Sequence, residues 1–357
     1  MTRENVSVIA GGKQFTQWQR VTITAGAAQA ARSATLETTE PGSLFGSEWT
    51  FKPGTKVEIQ AGGDQLLVGY VDDYAPQFDT TSHTASISIR SKAKDAIDSS
   101  AVHDTGEIRD KDLEGIAKDL DKFGIGFKAA GIQLKKIPLH RIAPGATVFQ
   151  ELEVLARQQG VLLVGEPDGS VAITKAGKNG RHAGALQEGV NILRASGRIS
   201  EKGKHSSVKV KGQRGFGTTA QALRIEHEEK DDTVERYRPL IVVAEGDTDL
   251  DRVKTRAAYH IARSSGSSVS ASITVKGWRD EAGVLWDPKK LIFVESERLK
   301  ISQDMAIQSV SFNQSGEEHG LGTHCVLSLV DPKALGADGK ASKGKSAKAW
   351  KTGGGDE

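Results

Sequence analysis

"KVEIQAGGDQLLVGYV", residues 56–71, is the stretch that decides the fold class. Apolar and polar side chains alternate on both sides of Gly62-Gly63, which is the pattern of two half-buried strands. A pair of glycines also tolerates the positive φ angles of a tight hairpin turn. The stretch therefore predicts an antiparallel β-hairpin.

The same period of two runs through the rest of residues 1–97, in "VSVIAGG", "WQRVTITAG", "ARSATLETTE" and "TASISIR". Strand patterns return from about residue 192 in "HSSVKVKGQ", "SSVSASITVKGW", "MAIQSVSFNQS" and "THCVLSLVDP". No repeat of fixed period is visible. We expect an α+β protein that is mainly antiparallel β.

Residues 98–190 have a different pattern and predict an α/β insert. "KDLEGIAKDLDKFG" predicts a helix that ends at Gly124 and buries one apolar stripe, formed by Leu113, Ile116, Ala117, Leu120 and Phe123. "TVFQELEVLARQQG" predicts a second helix with a capping box of Thr147 and Gln150 and an end at Gly160. "VLLVGEPDGSVAIT" predicts a hairpin that turns at 167–169.

The remaining boundaries follow from composition. Residues 1–97 and 191–332 are interpreted as two β-barrel regions, whose strands could interleave along the chain. The second region contains one helix, in "DTDLDRVKTRAAYHIARSSG", with Leu250, Val253, Ala257 and Ile261 as its buried stripe. Residues 333–357 are rich in lysine and glycine, and we expect them to be disordered because they offer little apolar area to bury.

The charge balance argues against a nucleic-acid-coating protein, since 48 basic residues face 46 acidic ones. The single cysteine, Cys325, excludes an intramolecular disulfide and a cysteine-based zinc site. Neither a secretory apolar segment nor an apolar run of about 20 residues is visible. We therefore expect a soluble protein that folds in the cytoplasm and does not insert into a membrane.

The sequence carries none of the nucleotide, hydrolase or zinc-protease motifs we sought, so we predict no catalytic, cofactor-binding or metal-binding residue. Asp247, Asp249 and Asp251 alternate as in a calcium loop. However, Arg252 and Ala258 stand where that loop needs glycine and glutamate. The aspartates suit the first turn of a helix better.

Two weaker candidates leave an enzymatic alternative open. Asp72 and Asp73 could supply paired carboxylates for acid–base chemistry, as in a peptidoglycan-active enzyme. His319 and His324 are five residues apart, and without a carboxylate or cysteine partner they are weak evidence for a metal site.

Trp278 and Trp286 lie on either side of "RDEAG" in "GWRDEAGVLWDP", residues 277–288. We interpret 279–283 as a hairpin loop, with Trp278 opposite Val284 and Trp286 diagonally across the ladder on the same face. Two indoles so placed favour a clasp in the core or at a subunit contact. A carbohydrate-binding platform is the alternative.

Basic side chains mark candidate interface surfaces. Lys209 and Lys211 alternate with Val208 and Val210 on one strand. Three arginines share one face of the predicted C-terminal helix: Arg252, Arg256 and Arg263.

Several segments occur in an order and spacing that resembles the baseplate hub proteins of Mu-like contractile-tailed phages, the tail P-protein family. The most specific are "SKAKDAIDSSA" and "RYRP…GW…G-LW-P", and the likeness covers about residues 5–332. Residues 147–174 also resemble a LysM-like unit.

The resemblance implies a structural virion protein of the tail baseplate, not an enzyme. It implies a homotrimer in which two tube-like barrel domains per subunit form a pseudo-sixfold ring and part of the DNA channel. Expected partners are the central spike, the tail tube protein and baseplate wedge or tape-measure proteins, with DNA only in transit. Because tight phosphate contacts would retard DNA, we expect Lys209, Lys211 and Arg252 to face protein.

Overall fold

The computed structural model describes residues 3–39, 50–80, 83–175, 179–213, 224–316 and 321–335. The first β region consists of β1 (Val6–Ala10), β2 (Lys13–Phe15), β3 (Arg20–Gly26), β4 (Ser33–Thr39), β5 (Lys56–Ala61), β6 (Asp64–Phe78) and β7 (His83–Ser91). β5 and β6 pair antiparallel, and the turn between them has φ angles of 57° at Gly62 and 94° at Gly63. The predicted hairpin is confirmed.

The insert that follows has its own core. Its elements are α1 (Lys94–Asp98), β8 (Glu107–Lys111), α2 (Leu113–Leu120), β9 (Phe127–Ala129), β10 (Ile137–Arg141), α3 (Val148–Gln159), β11 (Leu162–Gly165) and β12 (Val171–Thr174). The capping box of α3 is confirmed, since Thr147 Oγ1 accepts from the Gln150 N–H and Gln150 Oε1 accepts from the Thr147 N–H. Gly160 ends α3 in the left-handed conformation, and β11 and β12 form the expected hairpin.

The end of α2 differs from the prediction. The helix stops at Leu120, and the carboxylate of Asp121 accepts hydrogen bonds from the backbone N–H groups of Phe123, Ile125 and Gly126. These bonds turn the chain out of the helix before it reaches Phe123. Phe123 is consequently 39% exposed and does not continue the buried stripe.

The remaining elements are β13 (Arg181–Gln187), β14 (Ile192–Ile199), β15 (Ser207–Gln213), β16 (Ile225–Lys230), β17 (Pro239–Asp247), α4 (Leu250–Gly266), β18 (Val269–Lys276), β19 (Leu291–Ser296), β20 (Ile301–Ser315), β21 (Thr323–Val330) and a 3₁₀ turn (Pro332–Leu335). β16, β15 and β17 form a separate small sheet on which α4 packs. Val253 and Ala257 of α4 are buried there, whereas Leu250 is exposed because it lies in the first turn.

The two β regions share one large sheet. Its order is β14-β18-β21-β20-β3-β4-β7-β6-β5-β1-β2, with β19 also paired to β20 and β13 to β19. Nearly all pairs are antiparallel, as predicted, and one hydrophobic core runs through both regions. Among the described strands the hydrogen-bonded path does not close, so each region is an open part of a joint sheet and not the closed barrel that we predicted.

Five strands of each region have the same arrangement. The order β3-β4-β7-β6-β5 in the first region corresponds to β14-β18-β21-β20-β19 in the second, and all of these pairs are antiparallel. β6 and β20 are both 15 residues long. Each has a bulge against its hairpin partner at the same point, after Val71 in β6 and after Ile307 in β20. The chain therefore contains a structural repeat.

The end of the chain is only partly described. Lys333–Leu335, expected to be disordered, belong to the 3₁₀ turn, where Ala334 and Leu335 are buried. The rest of the lysine-rich tail, like His319, lies outside the described residues. In the part of the chain that the structure describes, no helix is long and apolar enough to cross a membrane.

Candidate assembly interface

The two repeats meet at one strand pair, β3 with β20, which we call the internal joint. Seven residue pairs run from Ser309 opposite Gly26 to Ser315 opposite Arg20. At its centre Ile23 and Phe312 lie opposite each other and are both fully buried. Thr22 and Asn313, on the other face, are joined by a side-chain hydrogen bond of 3.3 Å. The joint is thus a continuous ladder with a dry core face.

Two of the strand edges that have no partner among the described strands correspond to the edges joined by β3 and β20. The first is the outer edge of β14, which ends the sheet. The second belongs to residues 73–78 of β6, because β5 pairs with β6 only as far as Tyr70 and β7 covers the other side. In the structural repeat, the edge of β14 corresponds to the edge of β3, and the edge of β6 corresponds to the edge of β20. The internal joint pairs these last two edges, β3 and β20, with each other. Unpaired edges are usually protected or covered by a neighbouring chain.

Exposed apolar side chains accompany both edges. Every residue of β14 from Leu193 to Ile199 is exposed, although the corresponding strand β3 buries alternate residues. Ile199 is 64% exposed and Phe78 is 83% exposed. Apolar side chains that line an open edge make it a candidate interaction surface.

The two tryptophans form a clasp across a short turn. The pairing differs from the prediction, since Arg279 lies opposite Leu285 and the Trp286 N–H donates to the Trp278 carbonyl at 3.1 Å. Trp278 therefore faces Trp286 directly and not Val284. The reason is the carboxylate of Asp280, which accepts from the N–H groups of Ala282 and Val284 and tightens the loop.

Both indoles point into the protein. Trp278 is fully buried, donates its Nε1 hydrogen to the Asn313 carbonyl at 3.0 Å and packs edge-on against Phe312. Trp286 is 6% exposed and lies against the ring of His182, with 4.7 Å between ring centroids. Neither ring offers a face to a glycan, so the carbohydrate platform is not supported by this geometry.

A buried His182–Asp280 pair holds the clasp, and sequence reasoning missed it. His182 Nδ1 lies 2.8 Å from Asp280 Oδ2, and His182 Nε2 accepts the Asp287 N–H at 2.9 Å. Because Nε2 is an acceptor, Nδ1 carries the proton and donates to the carboxylate. Burial raises the pKa of Asp280, but the bonds from His182 and the backbone outweigh it and leave the pKa below its usual value. The two residues are 98 positions apart in the sequence, so no short motif indicated that they would meet.

Two of the basic interface candidates, Lys209 and Arg252, form ion pairs within the chain. Lys209 and Lys211 lie opposite Glu228 and Glu226 in the β15–β16 ladder, and Lys209 forms an ion pair of 3.2 Å with Glu228. Arg252 pairs with Asp249 at 3.5 Å.

The three arginines of α4 have different surroundings. Arg252 lines a cavity of about 260 Å³ between α4 and the insert, together with Gln133, Lys135, Ile137 and Gln159 among others. Arg252 and Arg256 together line a smaller pocket near α3. Arg263 donates to the hydroxyl of Tyr259 at 3.4 Å, one helical turn away.

The paired carboxylates of the enzymatic alternative are not equivalent. Asp72 forms ion pairs with both Arg90 and Lys94, whereas Asp73 is exposed. Burial raises the pKa of Asp72, but the hydrogen bonds from the two cations outweigh it, and the pKa lies below its usual value. A carboxylate held ionised in this way is a poor general acid. The described residues contain no group of three or more ligands that could hold a metal ion.

Comparison with known proteins agrees with this geometry. Residues 5–91 match the family described as "Mu phage baseplate assembly protein GpP-like, N-terminal", residues 93–175 match "Baseplate hub protein gp44-like, second domain", and residues 250–338 match "Mu phage baseplate assembly protein GpP, fourth domain". The baseplate hub protein gp44 of Escherichia phage Mu is 24% identical over 331 residues, which cover 90% of this chain and 87% of gp44.

Solved structures show the same fold over nearly the whole chain. The 43 kDa tail protein of prophage MuSo2 from Shewanella oneidensis has a TM-score of 0.82 and 31% identity, covering 93% of this chain and 99% of that one. The tail protein from Neisseria meningitidis MC58 has a TM-score of 0.81 at 23% identity, covering 94% and 99%.

The fold, with its repeated open sheet and unpaired edges, defines a structural component of a phage tail baseplate. Within that class the chain belongs to the family of Mu-like phage baseplate hub proteins. The sequence-based assignment to this family is confirmed.

Proposed function

We propose that this protein is the central hub of a contractile phage tail and that three copies form a ring. The hub joins the tail tube to the central spike, and its bore is part of the DNA channel. Family membership supports the hub role, and the two complementary open edges are the single observation that supports a ring.

A ring requires two different surfaces on each subunit. The edge of β14 and the edge of residues 73–78 are different surfaces, so their contact is head-to-tail, and a head-to-tail contact closes into a ring when its rotation divides a full turn. Two similar repeats per chain would place six similar units around a threefold axis. Such a ring can meet a sixfold tube on one side and a threefold spike on the other.

Other parts of the proposal concern partners and domains. The spike, the tail tube and the wedge or tape-measure proteins are the proposed partners, and DNA passes only in transit. The two β regions are proposed as the ring wall. The insert and the small sheet β16-β15-β17, with α4 packed on it, are proposed to lie outside this wall. In support, Lys209 and Arg252 are paired with acidic residues of the same chain and so present little net positive charge to DNA.

Light scattering on the purified chain tests the ring. One chain has a mass of 38.1 kDa, and we expect a species of three times this mass that persists on dilution. Negative-stain images of it should show a ring with a central bore. A stable dimer or tetramer, or a monomer at every concentration and after addition of the cognate spike, would overturn the proposal.

A further inference from the structure

We propose that neighbouring copies join by pairing β14 of one copy antiparallel with residues 73–78 of β6 of the next, in the register of the internal joint. This inference rests on the proposed ring and specifies the residues that form its contacts. We call this pair the subunit joint.

The register follows from three pairs of equivalent residues. Directly after the bulges, Asp73 lies opposite Ser88 in the first repeat, and Ser309 lies opposite Ser328 in the second. The next strand places Thr35 opposite Ser88 and Ser272 opposite Ser328. The edge strand then places Thr22 opposite Thr35 and Ser196 opposite Ser272. Ser196 of β14 is thus equivalent to Thr22 of β3.

The internal joint shows which residue of β6 lies opposite Ser196. Thr22 lies opposite Asn313, which is four residues beyond Ser309. Gln77 is four residues beyond Asp73 and is the equivalent of Asn313. In the subunit joint Ser196 of one copy therefore lies opposite Gln77 of the next.

This register brings the exposed apolar side chains together. On the core face it pairs Tyr74 with Ile199, Pro76 with Gly197 and Phe78 with Ala195. The equivalent pairs of the internal joint are Val310 with Ala25, Phe312 with Ile23 and Gln314 with Val21, and all six of these residues are buried. The subunit joint would thus cover apolar area that one chain alone leaves in water.

Pro76 is compatible with the joint. In the ladder of the internal joint, the Ala27 N–H donates to the Gln308 carbonyl at one end, and the Gly316 N–H donates to the Gln19 carbonyl at the other. Hydrogen-bonded and non-hydrogen-bonded residue pairs alternate between these ends. Phe312 and Ile23 therefore form a hydrogen-bonded pair. The missing N–H of the equivalent Pro76 therefore faces the open edge and leaves the β7 ladder intact. The joint loses one donor there, and the opposing Gly197 has no side chain to clash with the ring.

A cleft beside β14 suits the side chain of Phe78. It has a volume of about 370 Å³, and its apolar lining includes Leu186, Val190, Leu193 and Trp286. The equivalent residue of the other repeat, Gln314, is 5% exposed and accepts a hydrogen bond from the backbone of Glu4, just before β1. In the subunit joint, Phe78 of one copy would fill the cleft beside β14 of the next copy, close to β13, as Gln314 lies close to β1 in the first region.

Charges on the outer face are complementary in the same register. Arg198 lies opposite Ala75 with Asp73 as its diagonal neighbour, and Arg194 lies opposite Asp79. Opposite charges on neighbouring cross-strand positions favour pairing, whereas a shift by one residue would bury these side chains and expose the apolar ones.

Cysteine cross-linking tests the register. Gln77 and Ser196 are a non-hydrogen-bonded pair, whose Cα atoms are within disulfide range. The variants Gln77→Cys and Ser196→Cys are co-expressed as separate chains and oxidised, so that a disulfide between them must join two copies. The matched control combines Gln77→Cys with Ser200→Cys, which the register places about 13 Å further along the strand. The native Cys325 is fully buried.

Each outcome decides the proposal. A disulfide-linked dimer from the Gln77–Ser196 combination, at least tenfold more abundant than from the control, is the expected result. A trimer by light scattering in which that combination does not cross-link, or cross-links no better than the control, overturns the register but leaves the ring. A chain that never exceeds a monomer overturns both.

Discussion

Phe312 of β20 lies directly opposite Ile23 of β3, and neither side chain is accessible to solvent. The two residues are 289 positions apart, yet they form the centre of the ladder that joins the two halves of the protein. We expect the stability of the sheet to depend on this contact, and the proposed subunit joint takes its register from the same ladder.

Truncation at the internal joint should destabilise the whole chain. For Ile23→Ala we expect the free energy of unfolding to fall by about 2 to 5 kcal/mol, because a large side chain is removed from a closed core. Urea unfolding followed by tryptophan fluorescence measures this. The control Val102→Ala, at a position 65% exposed, should stay within about 0.5 kcal/mol of the parent. Equal effects of the two changes would contradict the role given to the joint.

Phe78 should matter for assembly and not for folding. Phe78→Ser removes a side chain that is 83% exposed in the single chain, so the urea midpoint of the monomer should not change. If Phe78 fills the cleft of the next copy, the dissociation constant of the oligomer should rise about tenfold or more. Light scattering across a dilution series measures this. Phe123→Ser, in the turn that follows α2, is the control and should leave assembly unchanged.

Acid should weaken the insert through His140. Burial lowers the pKa of this imidazole although Glu151, 3.0 Å away, acts in the opposite direction. The unfolded chain, with a histidine pKa of about 6.5, then binds more protons than the folded one. Stability is thus fully present above this pH and falls as the pH drops through it, until the folded pKa is reached.

The test compares urea unfolding between pH 5 and 8 for the parent and His140→Gln. The variant should have a shallower decline below pH 6.5. Some slope should remain, because burial and nearby arginines also lower the pKa of His260. His103→Gln is the matched control in the same insert. An unchanged slope in His140→Gln would show that another group controls the acid response.

Loss of Asp280 should open the tryptophan clasp. Asp280→Ala leaves the buried His182 Nδ1–H and the N–H groups of Ala183 and Val284 without their acceptor. We expect a loss of about 1–3 kcal/mol, which is the cost of one buried unsatisfied donor, because only the His182 Nδ1–H is buried and water can replace the acceptor at Ala183 and Val284. Tryptophan emission should shift to the red as Trp286 becomes hydrated. Glu281→Ala, at an exposed neighbouring position, should change neither property.

Much of the local structure was predictable. The hairpin at Gly62-Gly63, the capping box of α3 and the strand of alternating valine and lysine at 207–213 all follow from short-range rules, because a turn or a cap is decided by residues a few positions apart. The end of α2 was missed, because the carboxylate of Asp121 captured backbone donors that a continued helix would have used internally.

The candidate interface was predictable only in part. The basic residues were singled out by composition, yet Lys209 and Arg252 pair with acidic residues that the fold brings to the neighbouring strand or the preceding turn. The open edges of β14 and β6 carry ordinary strand sequences. That they have no partner among the described strands follows from strand order, and strand order is not encoded in any short motif.

The sequence by itself determined the class of fold, the main helices and turns, and the family, because alternation, caps and ordered segments are properties of neighbouring residues. Only the tertiary structure decided that two regions share one sheet, that His182 holds Asp280, and that two matching edges have no partner among the described strands. These features depend on contacts across 98 to 289 positions. Such contacts form only when burial of the whole core offsets the entropy of bringing distant segments together.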